Sequence, residues 1–402
     1  MSDDLLRPRY ADAFRCIGSS CEDSCCEGWS VFVDKATYKQ YRADPSLRRM
    51  TAGHVERIKE DGDNFKYARI QLAGSRCPFL TTDRLCAIQK QHGPEALSKT
   101  CSRYPRAWTR FDGHIEKALL LSCPEAARLV LLSPGLLAAE ETLERSQNEG
   151  GVERPSLAHH LRCLTLGVLQ DRSYPLWQRL LVLGMVCRRI GDLEPAQRAA
   201  NAPELIGRYA EMMLRGDLRS HLDGIPARRE PQLDLVLKLI RLRFQVEQPR
   251  DDFAAIVADL LVSINHSPGE PLDGAAQRYA AACRHYDESF ARHYPALLEN
   301  YLVNYVFCSR FPFADKAGHR DGSMDAIIAF LLMAFHYCLL HSLLVGSAAR
   351  HREKFTAARA VHVVQAFARA VEHNLRFEEE MRTLAASPGL RQTETLAALL
   401  RN

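Results

Sequence analysis

The sequence predicts a mainly α-helical protein, in which an irregular, cysteine-rich amino-terminal cap with short strands packs on a multi-helix body. Three observations carry this expectation. Beyond residue 156, apolar residues recur at three- and four-residue spacing almost without a break. Eight of the thirteen cysteines fall in the first 125 residues, where no such period holds. No strand, Gly-rich turn and helix with GxGxxG is found, so the usual dinucleotide or methyl-donor Rossmann site is missing. With 402 residues the chain can form two or three domains and bury a full core, so disulfides are not needed to hold an undersized fold.

Within the first region, VDKATYKQYR reads as a short helix beginning at Asp34, a side chain suited to the N-cap. FKYARIQLA and HIEKALLLS read as short strands. Cys123 followed by Pro124 and Glu125 marks a helix start, with proline at the first position and an acid in the first turn. The polar stretch SQNEGGVERPS, 146–156, is the linker between a cysteine-rich domain over 1–145 and a helical domain over 156–402. Helices are expected at 156–170, 174–191, 203–215, 230–246, 251–265, 271–290, 294–309, 323–349, 354–374 and 390–400, each with apolar spacing like that of Leu233, Val236, Leu237, Ile240 and Phe244. Residues Ala326 to Ala349 hold no Asp, Glu, Lys or Arg and are long enough to cross a bilayer. With His336 and His341 near their middle, they are read as the central helix of a large soluble core instead.

Charge excludes little: 53 Lys and Arg against 49 Asp and Glu leave +4, spread without a long basic run. No nucleic-acid partner and no stable membrane association are expected. MSDDLLRPRY places acids where a secretory signal carries a basic and then an apolar stretch, so a cytoplasmic location is expected.

The cysteines run C-x4-C-x3-CC (Cys16, Cys21, Cys25, Cys26), then C-x8-C (Cys77, Cys86), then Cys101 and Cys123. An irregular loop lets several thiolates converge on a soft metal, because it imposes no helical or strand direction. Structural zinc would use four ligands, usually in two close-spaced pairs, and the pairs here are irregular. Disulfides fit eight cysteines arithmetically but not a reducing compartment. An iron–sulfur cluster is favoured by the abundance of thiols, the lack of HxxxH or CxxC partners, and the Cys-Pro steps at 77 and 123. Arg76, Arg84, Arg103 and Arg106 lie beside these cysteines, where cations favour thiolates. Cys163, Cys187, Cys283, Cys308 and Cys338 sit inside apolar helical patterns and read as small buried hydrophobes.

CIGSSCEDSCCEGWSVFVDKATYKQY, CPFL with LCAIQKQHG, and LSKTCSRYPR resemble the cysteine motifs of the flagellin lysine-N-methylase family, and of a broader group of zinc- or iron-chelating proteins. ENYLVNYVFCSRFPF, 299–313, is similar to a further signature of the methylases. The resemblance implies methyl transfer from S-adenosylmethionine to surface lysines of flagellin by a protein carrying a [4Fe–4S] cluster. Its cluster candidates are Cys16, Cys21, Cys25, Cys26, Cys77, Cys86 and Cys101, joined by Cys123 through proximity. Cys21 and Cys25 share the first gap of the C-x3-C-x2-C pattern of radical enzymes, but Gly28 stands where the third cysteine would fall. Within the same stretches, Tyr104, Tyr301 and Tyr305 are candidates to accept the lysine proton or to face the sulfonium cation, and Asn304 or Glu299 to orient the amine; Arg103 and Glu299 are the residues expected to bind the methyl donor. Tyr301 and Tyr305, four residues apart on one helical face, also fit core packing. FPFADKAGHRDGS, 311–323, is read as a connection or a lid. The competing function is a non-enzymatic zinc- or iron-binding or redox protein with a helical body that docks a partner.

Overall fold

The computed structural model describes residues 5–6, 8–29, 31–59, 63–112, 114–137, 156–267, 271–313 and 324–401. Residues 146–155 of the expected linker and 314–323 of the polar loop lie outside these. Over the described residues the chain is mainly helical, with short strands confined to its amino-terminal part, in line with the sequence.

The chain opens with β1 (Leu5–Leu6) and α1 (Arg9–Ala13), followed by β2 (Phe32–Val33), α2 (Lys35–Ala43), α3 (Pro45–Thr51), β3 (Val55–Arg57) and β4 (Ala68–Ile70). Then come α4 (Ala87–His92), α5 (Lys99–Arg103), β5 (Arg106–Phe111), β6 (His114–Leu119) and α6 (Pro124–Leu131). Two small sheets result, ordered β1-β6-β5 and β2-β4-β3. β1 runs parallel to β6 with Leu5 opposite Ile115, and β4 runs antiparallel to both its neighbours, with Phe32 opposite Arg69 and Val55 opposite Ile70. Capping explains where α2 and α3 begin. The Asp34 carboxylate accepts the Thr37 N–H at 3.2 Å, and that of Asp44 accepts the Ser46 and Leu47 N–H groups at 2.7 and 2.9 Å.

The chain divides into two compact units, one of Phe14–Ala107 with Cys123–Ala126, the other of Met1–Ala13, Trp108–Ser122 and Ala127–Asn402. The core of the first is built on the β2-β4-β3 sheet: Val31, Val33, Ala68 and Ile70 meet Tyr41, Leu47, Phe79 and Ile88, with Cys77 among them.

The second unit carries α7 (Leu157–Gln170), α8 (Leu176–Asp192), α9 (Pro195–Arg215), α10 (Arg219–Asp223), α11 (Arg229–Val246) and α12 (Asp251–Ile264). They are followed by α13 (Asp273–Tyr286), α14 (Leu297–Cys308), α15 (Ala326–His351), α16 (Ala357–Phe367), α17 (Leu375–Ala385) and α18 (Thr393–Leu400). α15 is long and apolar enough to cross a membrane by length and composition, yet its most apolar window is 100% buried within the protein. It is the core helix, enclosed by α8, α11, α12, α13, α16 and α17. Gly346 allows its closest approach, because a Cβ there would meet the Leu260 Cα of α12 at 2.5 Å.

Three differences from the sequence pattern have local causes. α9 begins at Pro195 and runs through Pro203, since the good helix formers before Pro203 sustain the helix at the loss of one backbone bond. α17 was not expected; Asn374 caps it, accepting the Phe377 N–H at 2.9 Å. The segments expected as continuous helices at 271–290 and 354–374 end in π turns, Asp287–Ala291 and Ala368–Glu372, which shift the helical face out of the simple period.

Candidate functional site

All eight amino-terminal cysteines, including Cys123 with its short segment, belong to the first unit. They gather in two sets. In the first, the Cys26 thiol is hydrogen-bonded to Cys25 and Cys77, while the Cys77 N–H donates to the Cys26 carbonyl at 2.8 Å. Cys86 and Cys101 are close enough to feel Cys77 and Cys25 electrostatically. In the second set, Cys123 feels Cys21 and Cys16. Cys26, Cys86 and Cys101 pack against the core that contains Cys77. All thirteen cysteines of the chain are free thiols.

A backbone pattern recurs around both sets. The Cys16 sulfur accepts the N–H of Gly18 at 3.4 Å, Cys21 that of Asp23, and Cys77 that of Phe79. Cys86 accepts from Ile88 and Gln89, and Cys123 from Glu125 and Ala126 at the start of α6. At Cys21, Cys77, Cys86 and Cys123 the N–H two residues on points its positive end at the sulfur, which favours the thiolate. Burial works in the opposite direction. It raises Cys21 and Cys86, and pushes Cys101 and Cys123 up to about 12. Hydrogen bonds to Cys25 and Cys77 hold the proton on Cys26, and the bond from Cys26 lowers Cys77, so Cys77 is the first of the pair to ionise. A thiol set of this kind gives up its protons chiefly to a soft metal, whose binding releases them.

The fit to a metal rests on this donor chemistry. Among the described residues, no group of three or more His, Cys, Asp or Glu is arranged to hold a metal ion. The thiols are therefore gathered rather than preset around one ion. The residues that fit an iron–sulfur cluster best are Cys25, Cys26, Cys77, Cys86 and Cys101, all sulfur donors: Cys77 is buried, Cys26, Cys86 and Cys101 are half-buried against the core, Cys25 is exposed, and backbone N–H groups point at Cys77 and Cys86. Aromatic groups border them: Trp29 donates to the Cys25 carbonyl at 2.8 Å and its ring lies 5.5 Å from Tyr104. Arg103 is exposed at the end of α5. Of the other arginines, Arg76 reaches Glu27 at 3.9 Å, Arg106 donates to the Phe14 carbonyl at 3.2 Å, and Arg84 holds a left-handed turn with φ of 62°.

The remaining candidates lie on α14 in the second unit. Glu299 is buried and salt-bridged to Arg172 and Arg179, each at 2.9 Å. Asn304 accepts from the Tyr10 hydroxyl at 2.9 Å and donates to the Leu119 carbonyl at 2.9 Å. The Tyr301 hydroxyl donates to Glu372 at 2.8 Å, and the Tyr305 ring lies 4.9 Å from His336. Burial holds both phenols well above their ordinary range, so at neutral pH they keep their protons and are present as O–H groups. The structure thus brings Glu299, Tyr301, Asn304 and Tyr305 together on one helix, while Tyr104 and Arg103 belong to the other unit. The sequence reading missed Glu372 and Glu378, which lie near Tyr305. Their only signal is acidity near the start of α17, where acids commonly complement the helix dipole.

Residues 162–399 match the FliB lysine N-methylase C-terminal domain. A lysine-N-methylase of Salmonella typhimurium is 37% identical over 139 residues, 34% of this chain and 35% of that protein, and one of Salmonella choleraesuis aligns to the same extent. The flagellar biosynthetic protein FliU of Salmonella muenchen is 36% identical over 139 residues, which cover 82% of that protein. The chain spans about a third of the length of the two lysine-N-methylases it matches. No solved structure matches it.

Proposed function

The chain belongs to the FliB lysine N-methylase family, and from that premise we propose that it is an S-adenosylmethionine-dependent protein-lysine methyltransferase acting on surface lysines of flagellin in the cytoplasm. The observation that carries this reading is the family match across residues 162–399, which includes α14 and every polar candidate on it. The thiol set of Cys25, Cys26, Cys77, Cys86 and Cys101 adds support for a resident [4Fe–4S] cluster.

Lysine at neutral pH is an ammonium with an ordinary pKa of about 10.4 and no lone pair. Methylation begins with loss of that proton. The nitrogen then attacks the sulfonium methyl carbon; the N–C bond forms as the C–S bond breaks, leaving a methylated lysine, S-adenosylhomocysteine and the released proton. Tyr301 and Tyr305, held protonated, serve as hydrogen-bond donors and apolar walls. Asn304, tied to Tyr10 and Leu119, keeps α14 in register with β6. In the other unit, Tyr104 and Arg103 present an aromatic face and a cation beside the thiols, suited to a donor that carries both a sulfonium and a carboxylate. A bound cluster supplies redox and Lewis-acid chemistry. The chain's own part is to furnish sulfur ligands, direct N–H groups at them, and exclude water with Phe79, Ile88 and Tyr41.

The test is incubation of anaerobically purified protein with flagellin and S-adenosylmethionine, followed by peptide mass spectrometry. The proposal expects lysine peptides heavier by whole methyl groups. Unmodified lysines in the presence of metal-loaded protein would overturn it.

A further inference from the structure

We infer that the cavity bounded by α12, α13 and the carboxyl end of α15 binds a small phosphorylated ligand. It lies within the second unit, encloses about 530 Å³ and opens to solvent. Small-molecule sites usually span about 300–1,000 Å³, so the space suffices. Arg278 of α13, Arg350 near the end of α15 and Arg352 in the turn after it line the cavity. The rest of its wall is Val262, Ser263, His285 and three alanines; no Asp or Glu among the described residues lines it.

The charge balance decides what the cavity attracts. α12 and α15 both present their last turn to it. Arg278 answers the first directly: its Nε donates to the Ile264 carbonyl at 2.6 Å and one Nη to that of Asn265 at 3.1 Å. A helix carries about half a negative charge at its carboxyl end, so two ends offset about one of the three guanidinium charges and leave an excess of about two. Acids nearby do not cancel it. Asp259 of α12 is engaged by His351 at 2.9 Å and Arg359 at 3.2 Å, and Glu353 is exposed beside Lys354, outside the lining. Among the described residues, the side chains of Arg350 and Arg352 have no hydrogen bond, ion pair or ring contact. Arg352 is also held at φ 51° and ψ −124°, a backbone conformation that glycine adopts more readily than arginine. Strain of this kind concentrates at ligand sites.

The wall also selects the anion. Guanidinium groups match phosphate oxygens with paired N–H donors, and a phosphate monoester carries about −1.5 to −2 near neutral pH, close to the excess positive charge. No Phe, Tyr or Trp lines the cavity to stack a nucleobase, and no carboxylate to hold an ammonium or a sulfonium. S-adenosylmethionine, which carries all three groups, is therefore a poor occupant, and the site stands apart from methyl transfer.

Calorimetric titration of the full chain with inorganic pyrophosphate and with ribose 5-phosphate tests this. The wild type should bind at least one of them; tighter pyrophosphate identifies a free or terminal diphosphate as the source, tighter ribose 5-phosphate a sugar phosphate that uses the aliphatic wall. Arg350→Ala/Arg352→Ala should weaken binding about tenfold or more. Arg48→Ala/Arg49→Ala, which removes the same charge from exposed positions in the other unit, should leave it unchanged. Arg352→Gly should weaken binding severalfold without lowering the melting temperature, because glycine relieves the backbone. Val262→Glu, at a position 59% exposed, brings a carboxylate to the cavity and should abolish binding; it decides the matter if the arginine variants do not fold. Failure of the wild type to bind either phosphate, an equal loss in the Arg48/Arg49 variant, or displacement of the bound phosphate by S-adenosylmethionine would overturn the assignment.

Discussion

At the scale of single residues, the sequence exposes local hydrogen bonding and hides partners that are distant along the chain. Asp34 is legible as the N-cap of α2, but its carboxylate also accepts the Lys99 N–H at 3.0 Å, which ties α5 to α2 across 65 positions. Burial would raise its pKa, and the bonds from Lys99 and Thr37 outweigh that and lower it. Asp34→Ala should cost about 1–2 kcal/mol, measured by urea unfolding. His341 was visible only as a histidine in an apolar run. In the structure it is stacked on Tyr337, meets Tyr286 edge-on, and is held near pKa 3 by burial and by the nearby Arg229. Its folded value lies below the ordinary 6.5, so the unfolded chain binds the extra proton between these limits. Stability is therefore full above pH 6.5 and falls as pH drops, by at most about 1.4 kcal/mol per unit from this group. His341→Phe should flatten that slope in unfolding curves taken between neutral and mildly acid pH. For Glu299, a role in cofactor binding and a role as partner of Arg172 and Arg179 predict different losses. Glu299→Gln should cost about 3 kcal/mol of stability by leaving the buried Arg179 without its counter-charge, with the affinity of the folded protein for S-adenosylmethionine unchanged.

At the scale of elements, periodicity locates helices well because each must bury one stripe, and it fails where that demand is relaxed. α15 is buried all round and has no stripe, so its length and composition allow a membrane span as readily as a core helix; only the packing of α8, α12 and α13 around it separates the two. α17 was missed because the apolar signal is thin: Phe377, Met381 and Ala385 alone mark its fully buried side. Close approach between α15 and α12 depends on Gly346, whose place in an apolar run gives no hint of the Leu260 backbone opposite. Gly346→Ala should destabilise the protein by about 1–3 kcal/mol, despite the better helix propensity of alanine, and lower its melting temperature. A neutral or stabilising result would mean that α12 and α15 separate easily.

At the scale of the whole molecule, the mainly helical class and the family were both legible, the first from period and the second from cysteine motifs and ENYLVNYVFCSRFPF. The sorting of the eight cysteines into two sets was not. Spacing in sequence places Cys16 and Cys21 beside Cys25, but the fold carries Cys25 and Cys26 toward Cys77 and leaves Cys16 and Cys21 with Cys123. Long-range pairing of this sort is decided by the sheet core beneath Cys77, to which no local pattern points. The most direct test is the iron and inorganic sulfide content of anaerobically purified wild type, Cys77→Ser/Cys101→Ser and Cys16→Ser/Cys21→Ser proteins. The wild type and the Cys16/Cys21 variant should hold iron and sulfide in equal amounts, and the Cys77/Cys101 variant should hold neither. Retention in the Cys77/Cys101 variant, or a wild type free of both elements, would contradict the assignment of the Cys25, Cys26, Cys77, Cys86 and Cys101 set as the metal centre.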